Sequence, residues 1–541
     1  MPDLNLTDFS LLYPDGATKK AHLAGDGLPQ IDEFTLDELG LSEVLPLKNS
    51  QLSDFMTADP TVIRYRQRVF LDLLANEEIG KTLGKLLPVL YDIMELRRLE
   101  MDSGETSDYL SSMTEIELYI SSIDVLYEGL CATGKSYESE AFRTLSAHVK
   151  ELVESEYYAE LNKKLEELTG RVREIKSVTI GVNLDAQLRP KDAGVLAINP
   201  ESFHSGDTLQ KILHLNFKDD EYTCIADLVP FGKKQTDNQK TALALAFNSA
   251  INEVYRQSLR SWKRIVQAYV LENTDFLLNL VPEFEFLVKG TNLMRALRIK
   301  GNALTVPEIR PASERAFSAV ALYNPAVALK IEEAVVTNDL IFDEKAAIYV
   351  LTGPNRGGKS VITCAMGIAV AMTQLGLLVP AGSAVISPAD AIFTHFPTGA
   401  EDTIDKGRLG EECARLGEIF DAITDKSLVL LDESLSSTGS YEGTYIAAEV
   451  LAGLSHAGCR CIFSTHLHQL AAELDAINAR GGAPIDTLVA GIAEEGKRSF
   501  LITRAKPDGK SYAHDIAAKY GLTYDNIIQK IEGGKKSPEE V

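Results

Sequence analysis

The apolar pattern changes period along the chain. From residue 60 to about 100 it is helical: the stretch Thr61-Val62-Ile63-Arg64-Tyr65-Arg66-Gln67-Arg68-Val69-Phe70 is rich in helix formers, with no Gly or Pro until Gly80. Residues 108–176 continue as helices, and Tyr158, Leu161, Leu165, Leu168 and Val172 recur at alternating threes and fours, a seam for one partner helix. The period then drops to two at Val178, Ile180, Val182 and Leu184, and residues 194–198 and 212–217 keep the same style between Pro190, Pro200, Gly206 and Gly232. After Thr241 a long helix resumes, with Phe247, Ile251, Val254, Trp262, Ile265 and Tyr269 along one stripe. Residues 1–50 read as short, polar and irregular, with Asp37-Glu38-Leu39-Gly40-Leu41 suited to end a short helix, and 282–311 as helix remnants with a hinge.

The second half is different. Tyr349-Val350-Leu351, Leu428-Val429-Leu430-Leu431 and Cys461-Ile462-Phe463 are short continuous apolar runs, as in strands buried on both faces of a parallel sheet. Helices are expected at 361–375 and 468–480, and further strands at 488–494 and 498–504. The pattern predicts a multidomain chain: an all-α part with a small β-rich insertion, followed by an α/β domain. Its segments are a lead-in at 1–50, the all-α part at 51–176, insertion at 177–240, the returning all-α part at 241–314, and the α/β domain at 315–541.

The residues at the end of each buried strand carry the chemistry. After the first comes Thr352-Gly353-Pro354-Asn355-Arg356-Gly357-Gly358-Lys359-Ser360-Val361, with the spacing of a P-loop. Glycines let backbone N–H groups close around phosphate oxygens, and the helix that begins there adds its positive end. Lys359 can reach the β and γ phosphates of ATP, and the Ser360 hydroxyl can bind Mg²⁺. After the second come Asp432, suited to holding the metal's water shell, and Glu433, suited to positioning or deprotonating an attacking water. The third ends in Ser464-Thr465-His466, which puts an imidazole at the sheet edge where ligands bind in open α/β folds. A chance glycine loop, a solvated acidic turn and a structural histidine are the plainer accounts of each piece; the three in this order favour the active one.

From residue 326 onward the sequence resembles the ATPase domain of the DNA mismatch-repair MutS family. The loop is similar to TGPNMGGKS with Arg356 in place of Met, Leu431-Asp432-Glu433-Ser434-Leu435-Ser436-Ser437-Thr438 to LDEIGRGT, and Ser464-Thr465-His466 to the family's STH. Residues 399–411 align without gaps to GASDDLASGRSTF, but Leu409 stands where that family's serine touches the γ-phosphate of the opposite subunit. Trans-sensing then falls to Gly407, Arg408 and the N–H of Gly410. Residues 509–517 resemble the SYG segment, with Ala513 and His514 as departures. The resemblance implies that the all-α part is a core and lever, the β-rich insertion a clamp and the second half an α/β P-loop (ABC-type) ATPase domain; it also implies ATP and Mg²⁺ as cofactors, a homodimer, and a clamp tip touching double-stranded or branched DNA, for which Arg189, Lys191, Lys233 and Lys234 are the candidate contacts. It also leads us to expect no N-terminal mismatch-reading or connector domain. Action on a stalled ribosome, or as a nucleotide-dependent scaffold, is the alternative.

Composition narrows this further. A length of 541 residues suits three or four domains, and 45% hydrophobic residues suit globular ones. No apolar run approaches the roughly 20 residues that span a bilayer, and the first residues carry no basic signal, so a cytoplasmic protein is expected. Six scattered cysteines fit a reduced interior. A net charge of −24 argues against a broad, unspecific grip on nucleic acid, though not against a local basic patch.

Overall fold

The computed structural model describes residues 8–103, 109–131, 136–173, 176–184, 186–188, 190–202, 204–205, 223–224, 274–397, 407–467, 469–492, 498–506 and 520–533. They divide into two compact units, one within residues 76–285, the other within 8–75 and 286–541. No helix among the described residues is long and apolar enough to cross a membrane.

In the first unit, helix Glu77–Ser103 pairs with Tyr109–Leu126, which runs into a π-turn at Tyr127–Cys131. Helices Glu140–Val153 and Glu156–Arg173 come next. Ser139 caps the third helix by accepting from the N–H of Phe142. The Tyr158 hydroxyl donates to Asp124 at 2.8 Å, tying the fourth to the second. The switch to period two is borne out: β1 (Ser177–Leu184) and β2 (Pro190–Asn199) form an antiparallel hairpin, and two short strands, β3 (His204–Ser205) and β4 (Thr223–Cys224), pair in parallel. The rest of the expected insertion and the helix after Thr241 lie outside the described residues.

The second unit holds two sheets. The smaller has the order β5 (Glu308–Ile309), β9 (Ser383–Ile386), β6 (Phe317–Leu322), β7 (Asn338–Ile341). The larger has the order β10 (Ile392–His395), β11 (Leu428–Asp432), β12 (Arg460–Ser464), β8 (Ile348–Thr352), β13 (Ile485–Ile492), β14 (Arg498–Arg504). All its pairings are parallel except the last. Every residue of β8, β11 and β12 is buried, as the continuous apolar runs require. Helices Gly407–Ala422, Ser440–Ala457 and Leu470–Ala479 contribute Leu416, Leu451 and Leu474 to the core against β11 and β12.

The helix after β8, Lys359–Leu375, is buried along nearly its whole length. Its covering comes partly from a segment the sequence left irregular. Residues 16–55 form four short helices (Gly16–Leu23, Glu33–Glu38, Leu41–Val44, Asn49–Phe55), and Leu36, Leu39, Leu41, Leu45 and Leu52 are fully or almost fully buried. The Gln374 side chain donates to the carbonyl of Ala389, and its backbone carbonyl accepts from the N–H of Thr57. Helix Pro60–Ala75, which its sequence pattern grouped with the helical core, also packs in this unit. Residues 282–299, expected as helix remnants, belong to one continuous helix, Val281–Ile299, with Pro282 in its first turn, where a missing N–H costs nothing.

The far end of the loop helix is closed by Arg66. This side chain is fully buried, donates to the carbonyls of Leu12 and Phe55, and lies over the ring of Tyr13. It packs on Gly376, which ends the helix at φ 81°. A Cβ there would sit 2.4 Å from the Cβ of Arg66. Left-handed strain and overpacking therefore add, and Gly376→Ala is expected to destabilise this unit by roughly 2–4 kcal/mol. A urea-unfolding midpoint unchanged from wild type would contradict this.

Candidate functional site

Parallel register sets the site. Asp432 pairs with Ser464, and Ser464 with Leu351, so β8, β11 and β12 end at one level. The chains leave the sheet still bonded: the N–H of Glu433 donates to the carbonyl of Ser464, and that of Thr465 to the carbonyl of Leu351. Glycine loop, acid pair and histidine thus emerge side by side.

The loop runs close under β13. Gly353 has φ 137°, and a Cβ on it would fall 2.7 Å from that of Ala490, so only glycine fits. Gly358 ends the loop in the left-handed region and opens the helix. Lys359 is buried, and its Nζ donates to the carbonyls of Gly353 and Pro354 at 3.2 Å. It also lies 3.4 Å from Nε2 of His466, which is 2.7 Å from Oε1 of Glu433. With Nε2–H donating to that carboxylate, the imidazole stands between the acid and the lysine.

Asp432 is the buried member. Burial pushes its carboxyl up, the nearby hydroxyls of Ser360 and Ser464 pull it down, Glu433 raises it and Lys359 lowers it. Its Oδ1 is buried with no hydrogen-bond partner. A carboxylate oxygen so placed fits a hard cation or its bound water. Among the described residues no group of three His, Cys, Asp or Glu side chains could hold a metal alone.

The structure brings together Lys359, Ser360, Asp432, Glu433 and His466. Asn355 and Arg356 are exposed on the loop, Arg356 with φ 59°, and Val361 is part-exposed on the first helical turn. Gly407, Arg408 and Gly410 open helix Gly407–Ala422, where Arg408 Nε lies 4.0 Å from Glu412. Leu409 is packed against the core beside β11, which accounts for an apolar residue there. Arg189, Lys233 and Lys234 lie outside the described residues, and Lys191 is placed on β2 by its backbone alone. Residues 509–517 are also outside.

Sequence reasoning missed two groups. Ser464 faces Asp432 across the register, detectable only once β11 and β12 are paired. His395, at the end of β10, is bonded through Nδ1 to the Ser434 hydroxyl at 2.7 Å. Burial pushes its pKa down to about 4, with Arg415 adding repulsion.

These features define a class: an α/β fold built on a strand, a glycine loop and a helix, with an acid pair and a histidine at the same sheet edge. The profile for MutS domain V matches residues 349–530, and that for the MutS2 N-terminal domain matches residues 58–299. DNA mismatch repair protein MutS of Chlorobium chlorochromatii is 34% identical over 207 residues, which is 38% of this chain and 23% of that protein. MutS of Symbiobacterium thermophilum is 38% identical over 224 residues, 39% of this chain and 25% of the other. DNA mismatch repair protein MSH3 of Cryptococcus neoformans is 36% identical over 154 residues, 28% and 13% respectively. The chain belongs to the MutS family. The aligned stretch spans about a quarter or less of these curated relatives.

The depressed pKa of His395 has a consequence with a definite sign. Above the ordinary histidine value of 6.5 the ring is neutral in both states and contributes nothing. Below it the unfolded chain takes up a proton that the fold refuses until about pH 4, so stability falls across that window. The loss between pH 7.5 and pH 5 from this group is about 2 kcal/mol. Denaturant unfolding at the two pH values should show it in wild type and not in His395→Asn; equal slopes in both proteins would refute the assignment.

Proposed function

We propose that this chain is a Mg²⁺-dependent ATPase of the mismatch-repair type, whose P-loop is the stretch 353–360. It works in the cytoplasm as a homodimer and grips double-stranded or branched DNA through the insertion that begins after residue 176. The observation that carries this reading is His466, 2.7 Å from Glu433 and 3.4 Å from Lys359, beside buried Asp432. The relatives' printed names give DNA mismatch repair as their process, and that is the source of the DNA target.

In this reading Gly353, Pro354, Asn355, Arg356, Gly357, Gly358 and Val361 line or flank the phosphate cradle, and the loop N–H groups hold the phosphates. Lys359 exchanges its two loop carbonyls for β- and γ-phosphate oxygens and offsets charge in the transition state. Ser360 and Asp432 would hold Mg²⁺, which supplies neutralisation of the phosphate charge when bound. Glu433 orients and deprotonates the attacking water, and His466, donating to Glu433, fixes the carboxylate's direction. Gly407, Arg408 and the N–H of Gly410 would sense the nucleotide of the second subunit, while Arg189, Lys191, Lys233 and Lys234 would meet DNA phosphates.

The test is steady-state turnover of wild type, Lys359→Ala and Glu433→Ala, with and without duplex, branched and mismatched DNA. Lys359→Ala should lose at least about 100-fold in kcat, in line with removal of a transition-state charge partner. Glu433→Ala should still bind Mg-ATP yet turn over as slowly. Undiminished turnover in Lys359→Ala would remove the nucleotide assignment. A wild type that hydrolyses ATP but ignores every DNA would instead move the target to another assembly, with ribosome co-sedimentation as the next measurement.

A further inference from the structure

The turn after β11 is held in an unusual conformation. Glu433 has φ 48° and Leu435 φ 63°. Neither is glycine, and a residue with a Cβ keeps this strained conformation only where its surroundings enforce it. In the LDEIGRGT pattern a glycine stands where this chain has Leu435, and glycine takes that conformation without penalty. Here Leu435 is fully buried in the core beside β11, so its side chain anchors one end of the turn.

The other brace is Ser434, which replaces the pattern's isoleucine. Its hydroxyl is buried and makes two bonds to one residue: it donates to the carbonyl of His395 at 3.0 Å, and it stands 2.7 Å from Nδ1 of the same side chain. A hydroxyl has one proton. With that proton on the carbonyl, the ring must be the donor in the second bond, so His395 carries its hydrogen on Nδ1. The other nitrogen, Nε2, is buried with no hydrogen bond of good geometry, although the Glu412 backbone lies close to the ring. His395 itself is only 2% exposed and ends β10, the strand next to β11. The reciprocal pair therefore pins the residue after Glu433 to the neighbouring strand.

We propose that His395 and Ser434 are positioning residues for ATP hydrolysis: together they hold Glu433 in its left-handed conformation, and so hold its carboxylate on His466. Without the pair, Glu433 can relax toward the ordinary helical region near roughly −60° in φ, which swings its side chain off the imidazole. Nucleotide binding rests on the loop and Lys359 and is untouched. The inference depends on reading Glu433 as the group that manages the attacking water.

The experiment measures kcat and KM for Mg-ATP in wild type, Ser434→Ala, His395→Gln, His395→Asn and the Ser434→Ala/His395→Gln double variant, with active sites counted by nucleotide binding. Asparagine places an N–H where Nδ1–H lies, whereas glutamine reaches the position of Nε2 and does not. Ser434→Ala and His395→Gln should each lower kcat at least about tenfold with KM within about twofold. His395→Asn should retain most of the rate, and the double variant should be no slower than the slower single one. A residue that merely fills space would give two similarly affected histidine variants and additive losses, and that result overturns the proposal. So does wild-type kcat in Ser434→Ala, the smallest change and the one that folds if His395→Gln does not. A wild type without ATP turnover fails the broader ATPase reading and this one with it. Turnover in wild type that is unaffected in Ser434→Ala sinks this one alone.

Discussion

The site depends on register. β8, β11 and β12 are buried on both faces, so no polar face tells one alignment from the next. What fixes the alignment is their ends. A one-residue slip would move β11 by about 3.3 Å and draw Asp432 into a layer of Val350 and Phe463, where an unpaired carboxylate is strongly disfavoured. The cost of burying that acid thus keeps the strand ends level, and level ends put Glu433 on His466 and both beside Lys359.

The loop helix transmits this order inward. Its N-terminus carries Lys359 and its C-terminus meets Arg66, a fully buried cation with carbonyl and aromatic partners. Between them almost every side chain is buried, by the sheet on one side and by residues from the N-terminal helices on another. Close packing makes such a helix stiff, so its position is set at both ends together. The short N-terminal helices belong to the nucleotide unit for that reason: they supply apolar cover that the helix cannot do without.

Much of this was legible from residue types. The three apolar runs, the glycine loop and the polar residues at the strand ends located the strands and the site group, because a doubly buried strand and a phosphate cradle each tolerate few alternatives. The N-terminal helices were legible only at one point, residues 37–41, where helix Glu33–Glu38 does end. Each is four to eight residues long, too short for a helical period to emerge. Helix Val281–Ile299 was misjudged because Pro282 and Gly290 look like breakers; the proline lies in the first turn, and the glycine admits Leu377 and Phe70, since a Cβ there would lie 2.8 Å from one and 2.9 Å from the other. The bond between His395 and Ser434 spans 39 residues and obeys no period, so only the pairing of β10 with β11 reveals it.

The departures from the family pattern share a physical logic. Leu409 lacks the donor a serine would give, but it packs against the core and steadies the start of its helix. Ser434 and Leu435 replace an isoleucine and a glycine, and the strain of the second is met by the hydrogen bonds of the first. Arg356 stands in the loop with left-handed backbone and an exposed side chain. A cradle made of backbone N–H groups asks only for the right φ and ψ at that position, so the side chain there is free to differ. Apart from Leu409, which gives up a side-chain donor, each substitution falls where the local structure rests on backbone or on a neighbour.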